Sequence, residues 1–172
     1  MASIPINFDV LLMHHPYHNQ IRALLREPLK SLVIKGNWSP CCIQVSYALN
    51  RAGAPIEDAS FYSPEMKRGV RLFKSGAENC IIDVFDMRGY LDGRYGKAEN
   101  FKGSKEQMIA AISGRKGIIR FGTTHVDLWE GDRYHQQFRK DLPDSGSWAV
   151  TEAGAWKAPG VNTLGVFFWQ AG

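Results

Sequence analysis

The sequence predicts an α+β fold, and three observations carry it. Apolar residues recur at helical spacing between capping residues up to Gly114, the spacing changes to two from Gly117 onward, and the later strands are separated by turns rather than by crossover helices. With 172 residues, 44% hydrophobic and 22% charged, the chain has the length of one ordinary domain and a globular composition. A domain of this size buries roughly 70% of its unfolded surface, enough to fold without staples. Residues 1–172 are therefore expected to form a single domain.

Taken in order, Gln20 to Leu29 places Ile21, Leu24 and Leu25 on a short helix that Pro28 must end or kink. Ser39 can cap the next helix, Pro40 suits its first turn because its missing N–H is not needed there, and Gly53 suits the far end. A helix is thus expected from Pro40 to Ala52. Cys41, Val45, Ala48 and Ala52 recur at i, i+4, i+7 and i+11, so its small apolar face begins with a cysteine. Arg88 to Ser104, rich in Gly, Lys and Asp, reads as a long surface loop. Ser104 and Gln107 have the spacing of a capping box, followed by Met108, Ile109, Ala111 and Ile112 and closed by Gly114. Gly117–Phe121 and His125–Trp129 read as strands, Glu130-Gly131-Asp132 as a turn, Arg133–Phe138 as the returning strand, and Trp148–Thr151 and Thr163–Gln170 as later strands.

Several function classes recede on composition. The longest apolar runs, such as Val166 to Trp169, are too short to cross a bilayer, so no membrane partner is expected. Met1 to Met13 lacks a basic start and is interrupted by Pro5, Asn7 and Asp9, so it does not read as a secretory signal. The net charge of +4 is scattered, without the spacing of a nucleic-acid-binding motif, and no nucleic-acid partner is expected. Cys41, Cys42 and Cys80 cannot all pair within the chain, and neighbouring Cys41 and Cys42 would pair only with strain.

A thiol at a helix N-terminus meets the positive end of the backbone dipole and N–H groups without intrahelical partners, which favour the thiolate. Cys41 occupies that place, and its backbone amide can donate to the oxyanion formed when sulfur attacks a carbonyl. Cys42 points about 100° away around the helix and, like Cys80, is read as structural. A thiolate enzyme also needs a histidine on a rigid element, and His125 is the candidate, sharing a strand face with Asp127 and Trp129 while Val126 and Leu128 point toward a buried layer. Taken alone, a strand histidine is more often structural than catalytic. His14, His15 and His18 raise a zinc site, but Pro16 disfavours a helix there and no carboxylate or thiolate follows nearby. They are read as surface or loop-packing residues, with no metal and no cofactor.

The segments Cys41-Cys42-Ile43-Gln44-Val45-Ser46-Tyr47-Ala48-Leu49-Asn50 and His125-Val126-Asp127-Leu128-Trp129-Glu130-Gly131, with the terminal Val166-Phe167-Phe168-Trp169-Gln170, resemble the fourth class of type VI secretion amidase effectors, in the NlpC-like papain superfamily. The resemblance implies a papain-like, NlpC-type fold. It implies a cysteine amidase injected by one Gram-negative bacterium into the periplasm of a rival, where it cuts the bond between D-glutamate and meso-diaminopimelate in peptidoglycan stem peptides. A cognate immunity protein and the type VI secretion machinery would be its partners.

The sequence departs from the family at three positions: Cys42 stands for Ala, Gln44 for Arg, and Gln136 for the Asp of the third catalytic position on the returning strand. A neutral amide can orient an imidazole but stabilises its cation less than a carboxylate does. The expected triad is therefore Cys41, His125 and Gln136. His135 takes the third role if the turn carries a bulge, Asp127 is read as a substrate or structural contact, and Gln136 reads equally as an exposed strand residue. A papain-like deamidase or acyltransferase, or an inactive wall-binding module, are the competing functions.

Overall fold

The computed structural model describes residues 2–17, 20–36, 38, 40–57, 60–131 and 155–172. From the N-terminus, β1 (Ser3–Ile4) leads to α1 (Phe8–His14), whose cap Asn7 accepts the Asp9 N–H at 2.8 Å. α2 (Ile21–Leu24) and α3 (Leu29–Gly36) follow, parted at Pro28 as a residue without an N–H requires. α4 (Cys41–Arg51) begins and ends one residue inside the expected Pro40–Ala52. Pro40 holds the cap position, while Ser39 lies outside the described residues. Two small antiparallel hairpins come next, β2 (Tyr62–Ser63) with β3 (Arg68–Gly69) and β4 (Phe73–Ser75) with β5 (Glu78–Cys80).

The long loop expected from Arg88 to Ser104 does not exist. α5 (Val84–Tyr95) and β6 (Glu99–Phe101) fill most of it. Asp83 starts the helix by accepting the N–H groups of Phe85 at 2.8 Å and Asp86 at 3.1 Å. Its glycines answer to packing: a Cβ on Gly93 would stand 2.3 Å from the Phe61 ring, and one on Gly89 2.8 Å from Tyr62 O. The helix can lie so close to the first hairpin only where it carries no side chain.

α6 (Lys105–Ile112) has the expected capping box, with Ser104 and Gln107 satisfying each other's backbone N–H. β7 (Arg115–Phe121) then pairs antiparallel with β8 (His125–Gly131), so Glu130 and Gly131 extend the strand rather than turning it. The expected strands Arg133–Phe138 and Trp148–Thr151 lie outside the described residues. The last expected strand begins late: Val161–Leu164 is a helical turn, and β9 (Val166–Ala171) follows Gly165, whose φ of 72° breaks the helix.

These strands form one sheet in the order β1-β9-β7-β8, with β6 also paired to β9. Among the described strands only the β1 to β9 pairing is parallel, and it joins the N-terminal and C-terminal segments. One face of the sheet presents Ile118, Val126, Leu128 and Trp169 to Leu11 of α1, Val45 and Ala48 of α4 and Met87 and Leu91 of α5. The other presents Ile119, Phe121, Trp129 and Phe168 to Met108 and Ile112 of α6 and to Trp156. A smaller cluster of Ile21, Leu25, Leu29 and Val33 with Ile43 and Cys80 docks the short helices. Mixed helices on an antiparallel sheet are the expected α+β class.

Candidate active site

Cys41 is the first residue of α4, and its small-residue face packs on β8 through Val126 and Leu128. That contact sets the sulfur at the start of the strand, 3.9 Å from Thr124 O. The Val126 backbone N–H lies on the same edge and helps to favour the thiolate. Residues 124 and 126 direct their backbone groups to one edge of a strand, so Cys41 meets that edge while the intervening His125 side chain stands across the face. The two groups expected to meet come together, close enough for each to shift the other's pKa, at 3% and 2% exposure.

His125 is held from two further directions. Its ring stacks on Phe121, opposite it in the ladder, with centroids 5.9 Å apart and planes 25° apart. Phe121 is in turn braced edge-on by Trp156 at 5.0 Å. Its Nε2 lies 3.2 Å from Asp127 Oδ2. The fully buried Asp127 also accepts the Leu128 N–H on Oδ1 at 2.8 Å. Asp127, expected as a substrate or structural contact, is thus the imidazole's carboxylate partner. Side chains at i and i+2 share a strand face, and burial leaves this carboxylate no solvent alternative.

These contacts redistribute protons. A hydrogen bond from the Cys42 thiol is the largest influence on Cys41; burial opposes it, and the hydrogen bond and charge of His125 add to it, so the Cys41 pKa falls well below the ordinary thiol value. Burial pushes Cys42 well above that value, and it stays a thiol that can donate. For His125, burial works against the cation, but the hydrogen bond to Asp127 and then the Cys41 thiolate carry the pKa up to about 9. Burial likewise works against the Asp127 carboxylate, and the hydrogen bond from His125 and the charge of His15 hold its pKa below the usual value. Both shifts run toward a thiolate beside an imidazole cation, the state from which a cysteine attacks acyl groups.

Cys42, read as structural, therefore acts on the protonation of the candidate nucleophile. Cys80 is structural as expected, buried among Ile21, Leu25, Leu29, Val33 and Ile43 and pushed to about 12 by that burial. Gln44 is fully buried and donates from Nε2 to Pro16 O at 2.8 Å, tying the segment after α1 to the nucleophile's helix. Gln136 and His135 lie outside the described residues. Of the three N-terminal histidines, His14 ends α1, His18 lies outside the described residues, and His15 is buried with Nε2 3.7 Å from Asp127 Oδ1. Nothing in their spacing marked His15, because the link to Asp127 crosses most of the chain. Among the described residues no group of three His, Cys, Asp or Glu is placed to hold a metal ion.

A cysteine at a helix N-terminus, packed on an antiparallel sheet that carries its histidine, is the α+β arrangement of the papain-like, NlpC-type fold. Solved structures agree in fold. The chain matches Tae4 in the type VI effector–immunity complex Tae4–Tai4 from Enterobacter cloacae with TM-score 0.68 and 20% identity, over 98% of this chain and 100% of that one. It matches the effector Tae4 from Enterobacter cloacae with TM-score 0.64 and 20% identity, over the whole of both chains at 100% each. Tae4 of the Tae4/Tai4 effector–immunity system from Salmonella typhimurium gives TM-score 0.60 and 24% identity, over 78% of this chain and 89% of that one. No curated protein sequence matches. Residues 39–169 match the family of type VI secretion system (T6SS) amidase effector protein 4, Tae4, and the chain belongs to that family. It is an amidase effector of type VI secretion, delivered into target cells.

Proposed function

We propose that the chain acts as one catalytic unit that hydrolyses the D-glutamate to meso-diaminopimelate bond of peptidoglycan stem peptides in the periplasm of a rival cell, with Cys41 as nucleophile and His125 as acid and base. The observation that carries this is the buried chain of contacts from the Cys41 thiol through His125 to Asp127. The thiolate attacks the amide carbonyl, and the first-turn N–H groups of α4 stabilise the oxyanion. The His125 cation protonates the departing amine, leaving an acyl-thioester. His125, now neutral, takes a proton from water, whose oxygen attacks the thioester; the C–S bond breaks, releasing the cut stem as its acid and restoring the Cys41 thiolate beside the His125 cation. Asp127 holds the ring and stabilises its cation, as a carboxylate does in other triads. Gln136 keeps the proposal it had from the sequence, an amide near the imidazole contributed by residues 132–154.

The solved Tae4 relatives occur with Tai4 immunity proteins, which supports a cognate immunity protein for this chain. Digestion of purified sacculi followed by mass spectrometry of the new termini tests the substrate. Cleavage between D-glutamate and meso-diaminopimelate, absent with Cys41→Ala, is the expected result. Stem peptides left uncut but deamidated would replace the proposal with a deamidase.

A further inference from the structure

We propose that His15 is a positioning residue of the active site, holding the Asp127 carboxylate turned toward His125. The inference rests on the catalytic reading of Cys41 and His125 and adds to it a group from the far end of the chain. Asp127 has two oxygens with different duties: Oδ2 faces His125 Nε2 at 3.2 Å, while Oδ1 accepts the Leu128 N–H at 2.8 Å and faces His15 Nε2 at 3.7 Å. The carboxylate lies between two imidazoles, and the His15 and Asp127 side chains are each 1% exposed. Neither has the solvent to turn to.

Charge balance gives His15 its reason to be there. A thiolate, an imidazolium and a carboxylate together carry one uncompensated negative charge, and an unbalanced charge out of water is costly. A histidine whose Nε2 stands 3.7 Å from Oδ1, at ion-pair distance, can supply the missing positive charge, or as a neutral ring can keep a polar edge on that side of the carboxylate without the short contact of a hydrogen bond. Either way it fixes the carboxylate's rotation, and so the direction in which Oδ2 pulls the His125 ring. The backbone around His15 is built for the placement. His15 N donates to Leu12 O at 3.1 Å and so closes α1, and the next residue, Pro16, accepts the buried Gln44 Nε2 at 2.8 Å. Gln44 belongs to α4, so the segment carrying His15 is pinned to the helix that carries Cys41. A histidine that merely filled space would need none of this alignment.

The test uses the full chain and a soluble stem peptide containing the D-glutamate to meso-diaminopimelate bond, with kcat and KM measured separately. His15→Phe keeps a flat ring and removes the N–H; it is expected to lower kcat about ten-fold or more at unchanged KM. His15→Gln can present an N–H where Nε2 stands and is expected to restore most of the rate. His15→Asn, whose amide falls where Nδ1 stands, is expected to stay low. If His15→Phe melts at the assay temperature, the Gln and Asn variants decide. A His15→Phe enzyme with native kcat, or Gln no better than Asn, overturns the proposal. Cys41→Ala run in parallel separates the two levels: its inactivity beside a fully active His15→Phe removes His15 alone, whereas activity in Cys41→Ala removes the catalytic reading and His15 with it.

Discussion

Among the described residues, two regions bury charge, and they behave differently. On the α5 side of the sheet, Arg120 is fully buried, pairs with Glu65 through two hydrogen bonds of 2.6 and 2.8 Å, and packs between the rings of Phe85 and Phe167. Arg88 adds a second contact to Glu65 at 3.1 Å, and Asp86 is met by Arg68 and Arg71. Burial works against the Glu65 carboxylate, and the arginines more than offset it, so the group stays in the state it has in water. At the start of β8 the contacts do the opposite. They take the proton from the thiol, which would hold it in water at neutral pH, and place it on the imidazole, which would mostly lack it. Burial and ion pairing mark both regions; only a reversal of protonation order marks the one that can do chemistry.

Mutations should separate the two regions. The largest effect expected is that of Cys41→Ala, a loss of kcat of about 10⁴-fold or more with little change in melting temperature, read by steady-state assay and a thermal scan. Next, Asp127→Asn is expected to lower kcat by about 10²- to 10⁴-fold. It should also move the pH profile. The active pair needs sulfur deprotonated and imidazole protonated, so activity rises through the depressed Cys41 pKa and falls through that of His125, about 9. Removing the Asp127 charge lowers the His125 pKa and brings the alkaline limb down toward neutrality. Gln136→Ala sharpens the assignment, since a loss exceeding that of Asp127→Asn would move the orienting role to Gln136. In the other region, Arg120→Met is expected to cost about 3 kcal/mol of stability in urea denaturation, while the alkylation rate of Cys41 at pH 7 stays native. Smallest, Gly93→Ala should cost about 1–3 kcal/mol, because its methyl meets the Phe61 ring.

How far the sequence carried these conclusions depends on the range of each interaction. Local signals were legible: the Ser104 and Gln107 capping box, the helix opening at Cys41 and the alternation through His125 are all set within a few residues. α5 was not, because its apolar face is interrupted by Gly89 and Gly93, and their purpose becomes visible only when Phe61 and Tyr62 lie against them. The pairing of Cys41 with His125 could be proposed from residue chemistry on two elements. The Asp127 contact was within reach, since i and i+2 on a strand share a face, yet the family's pattern of a partner on the returning strand outweighed it. His15 left no trace, since what places it beside Asp127 is the docking of α1 on α4 and the Gln44 bond to Pro16.

The central claim is that the fold makes Cys41 a thiolate by giving its proton to His125, and the pH dependence of Cys41 alkylation measures this most directly. Iodoacetamide labelling of the folded protein, with the Cys41 peptide followed by mass spectrometry, should show a rate at half its plateau well below the ordinary thiol value, and Asp127→Asn should shift that midpoint upward. A midpoint near 9, the value of a thiol left to itself, and indifferent to Asp127, would contradict the account.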